Sequence, residues 1–244
     1  EFDNKQFEVQ FDHLVVSLGV VDDLSRYPGI AEHTFRLKNY WDCFEVRNHI
    51  IHMLELAEIE TDPIEGYDEA LRYTHSLVNA NPNKYFLCDQ YSNDNNWLSH
   101  YNGTAEEIIH QMNDEFEYFV GGIGTGGSIT GIGRKLKETY PNIKIFGIRP
   151  EIWPGIEGLK PLGSPKDIIP KILDESVVDE WIYVNADEAK HWCQVLAKNG
   201  IFVGQSSGCY IAACYKLIEK ISSGRIVTIF NDFGDRYFSA GLWI

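Results

Sequence analysis

Phe119-Val120-Gly121-Gly122-Ile123-Gly124-Thr125-Gly126-Gly127-Ser128 reads as a strand running into a glycine turn that opens a helix. The residues up to Val120 are apolar, as a buried strand requires. The glycines permit a tight turn that bares main-chain N–H groups toward one point. Residues 129–140 carry the spacing of an amphipathic helix, so the turn lies at that helix's positive end. Thr125 and Ser128 add hydroxyl donors. A phosphate monoester is the ligand that such a cup suits best.

Two other readings compete for the turn. Gly122-Ile123-Gly124-Thr125-Gly126-Gly127 also satisfies the G-x-G-x-x-G fingerprint of dinucleotide sites. Those sites want an acidic residue closing the next strand, where the ribose sits. Here that strand runs into Arg149-Pro150-Glu151, so the acid comes late and behind a proline. A P-loop is excluded, because no Gly-Lys-Ser/Thr follows. The third reading is a helix-capping turn that holds nothing.

Outward from the turn, strand signals recur over 118–121, 143–148, 181–184 and 226–230, and helical signals over 129–140, 186–199 and 207–222. Asn199-Gly200 is a helix stop, and Ser206-Ser207 reads as a helix start and cap rather than a hydrolase nucleophile, since it lacks the G-x-S-x-G context. Alternating strands and helices predict an α/β fold: a parallel sheet with helices on both faces. Upstream the pattern is less regular. Short strands are expected at 13–18, 34–37 and 85–88, and helices at 46–58 and 66–79. These divide the chain into a small irregular lobe, 32–96, and a larger α/β lobe formed by 1–31 and 97–244.

The 244 residues are 44% hydrophobic, enough for a substantial core, and carry a net charge of −15. That balance argues against nucleic acid, whose phosphates need clustered Lys and Arg. No apolar run approaches the ~20 residues that cross a bilayer, so no membrane role is expected. The five cysteines form no C-x-x-C pair and read as buried thiols of a reducing, cytoplasmic setting. His49 and His52, three apart on the expected helix with Glu55 nearby, find no further ligand at convincing spacing, so no metal site is expected.

The chain resembles the fold-type-II pyridoxal-phosphate enzymes, in particular cysteine synthases and their cystathionine β-synthase relatives. The likeness runs in order through Asp89-Gln90-Tyr91-Ser92-Asn93, Asn96, His100-Tyr101 and Gly103-Thr104-Ala105-Glu106-Glu107-Ile108. It continues through the glycine turn with Thr130-Gly131-Ile132-Gly133, then Gly155-Ile156-Glu157-Gly158-Leu159-Lys160 and Ile169-Pro170. Val178-Asp179, Gly204-Gln205-Ser206-Ser207-Gly208 and Gly234-Asp235-Arg236-Tyr237 complete it. The resemblance implies the tryptophan-synthase-β type of sheet and pyridoxal phosphate as cofactor. It implies that Gly124, Thr125, Gly126, Gly127 and Ser128 hold the cofactor phosphate and that Gln90 lies near a substrate carboxylate. Members are mostly homodimers that replace a β-substituent of an activated serine with a thiol or sulfide, so a homodimer taking a small phosphorylated cofactor and an amino-acid-like ligand is expected.

The same resemblance exposes three departures. The family's Schiff-base lysine falls, by an ungapped match of the segment from Phe35 to Arg47, on Arg47. A guanidinium stays protonated and forms no stable imine; Lys38 is the nearby amine that could substitute. The family's Ser/Thr-Gly-Asn-Thr-Gly loop, which grips the substrate carboxylate, has no counterpart, and the segment Glu60 to Tyr67 resembles a much later part of the family. At the pyridine end, where the family places a small hydroxyl residue, the run is Asn231-Asp232-Phe233, so Asp232 becomes the candidate ring contact. The expectation is a degenerate, non-catalytic or regulatory cysteine-synthase-like protein, with an active cysteine synthase using another lysine as the alternative.

Overall fold

The computed structural model describes residues 66–85, 87–112, 116–152, 155–163 and 167–243. Lys38, Arg47, His49, His52, Glu55, Cys43 and the elements expected at 13–18, 34–37 and 46–58 lie outside the described residues. The chain divides into two units between Leu87 and Cys88. The described part of the first is helix α1 (Gly66–Ala80), which opens with Asp68 and Glu69 at its positive end.

The second unit is built on four parallel strands: β1 (Tyr118–Gly121), β2 (Lys144–Pro150), β3 (Glu180–Val184) and β4 (Ile226–Thr228), ordered β3-β2-β1-β4. Helices α2 (Asn95–Ser99), α3 (Ala105–Met112) and α4 (Gly127–Thr139) precede or follow β1. Helices α5 (Ala186–Lys198) and α6 (Gln205–Ile218) follow β3.

The strand period of two explains the two layers. Phe119 and Ile145 point to a core shared with Ala105, Ile108, Ile129, Ile132 and Leu136 of α3 and α4. Their neighbours Val120, Phe146 and Ile148 point the other way, onto Ala189, Cys209, Tyr210, Ala213 and Leu217 of α5 and α6. Each fully buried Val, Ile, Leu or Phe among them contributes roughly 1.5–3 kcal/mol by leaving water. Because β1 and the middle of β2 are covered on both faces, residues 118–121 and 145–148 are continuously apolar rather than alternating.

Several elements differ from the sequence expectation. Residues 95–112 are helical almost throughout, joined at His100–Thr104 by a wider π-type turn. Residues 85, 87 and 88 form no strand; the Cys88 carbonyl instead accepts from Asn93 Nδ2 at 3.1 Å. Ser206 and Ser207 do not cap α6. Gly204 is its N-cap, without a side-chain bond, and both serines are buried in the first turn, where Ser207 Oγ accepts the Asn231 N–H at 3.3 Å. A full capping box starts α5 instead: Asn185 Oδ1 accepts the Glu188 N–H at 2.9 Å, and Glu188 Oε2 accepts the Asn185 N–H at 2.9 Å.

Cys193, Cys209 and Cys214 are buried, whereas Cys88 is exposed. Burial pushes the Cys193 thiol up to about 11 and Cys214 up to about 12, and raises Cys209 further. The folded state therefore holds these protons after the unfolded chain has released them, so their contribution to stability falls as pH climbs from 9 through 11. At pH 8 iodoacetamide is expected to label Cys88 quickly and these three only after unfolding, as read by mass mapping. Rapid native labelling of Cys193 or Cys209 would contradict the packing.

Candidate functional site

The chain leaves β1 at Gly121 and reaches the N-cap of α4 at Gly126, which is left-handed with φ 87°. A side chain there is strained by the backbone and blocked by Leu173, whose Cβ would lie 2.9 Å from an added Cβ. At Gly127 an added Cβ would collide with the amide of Asn96. That approach lets Asn96 Nδ2 donate both to the Gln90 carbonyl at 2.8 Å and to Thr125 Oγ1 at 3.0 Å.

Thr125 Oγ1 also accepts the Gly127 N–H, at 3.3 Å. A hydroxyl has two acceptor sites and one proton. With both acceptor sites taken, the Thr125 proton is left to donate. Among the described residues, the N–H groups of Gly124, Thr125 and Gly126 also meet no protein acceptor. The turn thus gathers donors without acceptors, which is what a phosphate demands.

Two loops brace the turn. The Lys160 N–H donates to the Ile123 carbonyl at 2.7 Å, and the Gly158 carbonyl lies 3.1 Å from where a Gly124 Cβ would be. On the other flank the Asp174 N–H donates to Thr130 Oγ1 at 2.9 Å, keeping Leu173 against Gly126. Arg134 binds Asp174 through Nε at 3.0 Å and Nη2 at 2.8 Å while stacking on Trp97 at 4.5 Å. The Ser176 hydroxyl, then Arg134, holds the Asp174 carboxyl below its ordinary range.

Beyond β4, Asn231 Nδ2 donates to the Tyr210 hydroxyl at 2.9 Å. Tyr210 is buried beneath Gly122, where an added Cβ would sit 2.5 Å from its ring, and burial raises its pKa. Asp232 Oδ2 accepts from Tyr237, and its carboxylate packs on Gly204. Oδ1 is buried and unpartnered among the described residues. Phe233 is 76% exposed.

Of the residues expected from sequence, Gly124, Thr125, Gly126, Gly127 and Ser128 come together at one turn, and Gln90 is joined to it through Asn96. Asn96, Leu173 and Tyr210 were given no role by sequence reasoning. Asn96 entered only within the family resemblance, and the lack of room at Gly127 that matches it is seen only in the structure. Glu151, the acid a dinucleotide site would need, has its Oε2 on the Ala186 N–H at 2.9 Å, at the start of α5. It serves the helix rather than a ribose.

The donors of the turn suit a phosphate, and the comparisons identify a family that uses pyridoxal phosphate. The profile of the family described as pyridoxal-phosphate dependent enzyme matches residues 47–232. The cysteine synthase of Aquifex aeolicus is 42% identical over 205 residues, covering 82% of this chain and 62% of that protein. The cystathionine beta-synthase of Rattus norvegicus is 39% identical over 175 residues, covering 67% of this chain and 31% of that protein. The crystal structure of a hydrogen sulfide-producing enzyme from Fusobacterium nucleatum matches with a TM-score of 0.63 and 32% identity, over 72% of this chain and 62% of that one. The chain therefore spans somewhat under two thirds of the cysteine synthase it matches. On the family match, the relatives and its parallel sheet, the chain belongs to the pyridoxal-phosphate dependent enzymes, as a cysteine-synthase-like member of the tryptophan-synthase-β type of fold.

Proposed function

We propose that this chain is a degenerate cysteine-synthase-like protein that binds pyridoxal phosphate without a covalent link and does not carry out β-replacement. Arg47, at the position of the family's lysine, carries this reading, because an arginine offers no amine to the cofactor. Gly124, Thr125, Gly126, Gly127 and Ser128 hold the phosphate through main-chain N–H groups and hydroxyls. Bound pyridoxal phosphate supplies an electron sink. The protein's part is to fix its phosphate and exclude water around it. Gln90 faces the carboxylate of an amino-acid-like ligand, and Asp232, held by Tyr237, shapes the pyridine end.

The missing carboxylate-gripping loop and the reduced lobe, 32–96, remove the remaining apparatus for turnover. These losses favour a regulatory role in cysteine biosynthesis; the family resemblance supports a homodimer, and the lack of C-x-x-C pairing among the five cysteines supports a cytoplasmic setting. The 42% identity to a cysteine synthase supports a second reading, an active enzyme in which Lys38 or another lysine replaces the missing one.

Borohydride treatment separates the two. The purified chain, loaded with pyridoxal phosphate, is expected to lose the cofactor on dialysis, and mass spectrometry after reduction is expected to find no pyridoxyl group on any lysine. An adduct on Lys38 or elsewhere would establish the enzyme reading instead.

A further inference from the structure

The first turn of α6 buries polar groups that the fold leaves unused. Gln205 and Ser206 are 8% and 2% exposed. Gln205 Oε1 accepts the Glu157 N–H at 2.9 Å, which fixes the amide. Its Nε2 and the Ser206 hydroxyl enter no hydrogen bond among the described residues. Native proteins rarely bury polar side chains unmatched, because each costs free energy until it finds a partner.

Three contacts set these residues beside the glycine turn. Ser206 Oγ lies 3.6 Å from where a Gly158 Cβ would be, and the Gly158 carbonyl lies 3.1 Å from where a Gly124 Cβ would be. A single glycine thus separates Ser206 from the phosphate cup. Tyr210, four residues on and on the same face of α6 as Ser206, lies beneath Gly122. Ser207 Oγ accepts the Asn231 N–H just past β4. The helix therefore starts where β1 and β4 end. In the order β3-β2-β1-β4 the chain turns to opposite sides at these two strands, and parallel sheets hold their ligands at such a crevice.

We infer that Gln205 and Ser206 are a second binding contact, a donor pair that takes the polar edge of the pyridine ring while the glycine turn holds the phosphate. The inference rests on the glycine turn being the phosphate site, as proposed above. With its oxygen turned to Glu157, the Gln205 amide is left with its NH2 donors, and the Ser206 hydroxyl keeps its proton to give. Neutral donors of this kind suit the uncharged acceptor atoms of a heteroaromatic ring. Each such bond, made in place of a buried group without a partner, changes affinity by about fivefold.

The test uses the full chain and titrates pyridoxal phosphate and inorganic phosphate against wild type, Ser206→Ala and the double variant Gln205→Met/Ser206→Ala. Ser206→Ala breaks no hydrogen bond of the free protein, so it is expected to melt no lower than the parent. It should nonetheless weaken pyridoxal phosphate about fivefold, and the double variant should weaken it about twentyfold or more. Inorganic phosphate should stay within twofold in both, since the turn is untouched. Pyridoxal phosphate within twofold of wild type in the double variant would overturn the inference while leaving the turn as the site. Equal losses of pyridoxal phosphate and inorganic phosphate would overturn it too, by showing that α6 only props the turn. A lowered melting temperature in Ser206→Ala would count against it in the same way, because the hydroxyl would then have a partner within the fold. Wild type that binds neither ligand would bring down the proposed site, and this inference with it.

Discussion

A Gly126→Val variant is expected to bind pyridoxal phosphate more than a hundredfold more weakly and to melt roughly 10 °C lower than the parent. Two separate penalties act there. The φ of 87° lies in the left-handed region that a β-branched side chain avoids, at a cost of about 1–3 kcal/mol. The new Cβ would also meet Leu173 Cβ and Cδ1 at 2.9 Å, and Leu173 cannot retreat freely, because the next residue is tied by its N–H to Thr130 and by its carboxylate to Arg134. Overpacking of this kind adds about 1–3 kcal/mol. At ~3 °C per kcal/mol for a chain of this size, the sum gives the expected drop in melting temperature. Binding suffers more than stability, since relief of the clash must turn the N–H groups of the turn away from their common point. Isothermal titration and a thermal melt read the two effects separately; unchanged affinity would remove the turn from the cofactor site.

Gly208→Val should cost stability on a similar scale through a different cause. Gly208 lies in the first turns of α6, where an added Cβ would run into the Ala189 carbonyl and sit 2.5 Å from Cys193 Sγ, both on α5. The obstacle is partly main chain, so no change of rotamer clears it. The two helices must separate, and the contact beneath them loosens: Ala189, Cys209 and Ala213 share one core with Val120 and Phe146 of the sheet. A loss of about 3 kcal/mol is expected in urea unfolding, with a fall in the midpoint at unchanged slope. Material that stays folded should bind the cofactor normally, which separates this variant from Gly126→Val. A change below about 0.5 kcal/mol would mean that α5 and α6 do not meet at Gly208.

Parts of this architecture were legible in the sequence and parts were not, for physical reasons that differ by segment. The strand at 118–121 and the helix at 186–198 announced themselves, one by a continuous apolar run, the other by its helical spacing and by Asn199-Gly200 at its end. The helical stretch 95–112 did not, because Asn95, Asn96, Ser99, Asn102 and Gly103 are residues of turns. It forms because Gly131 lets the Trp97 carbonyl settle on α4 and because Trp97 receives the Arg134 guanidinium. Such tertiary support leaves no period in the local sequence. At Ser206-Ser207 the hydroxyls looked like caps, but the chain turns one residue earlier, at Gly204, and one of them serves the loop after β4. The turn itself was readable because five glycines fall within residues 121–127. Asn96, thirty-odd positions upstream, was not readable as its brace, since nothing in the order of residues says that its amide fills the space Gly127 leaves.

The left-handed glycine and the three idle N–H groups before the helix belong to one short segment rooted in the middle of the sheet, flanked by β2 on one side and β4 on the other. Its shape is nonetheless kept by segments far off in the chain, Lys160 on one flank and Leu173 on the other. A substitution in either flanking loop would therefore be felt at the turn before it was felt in the sheet.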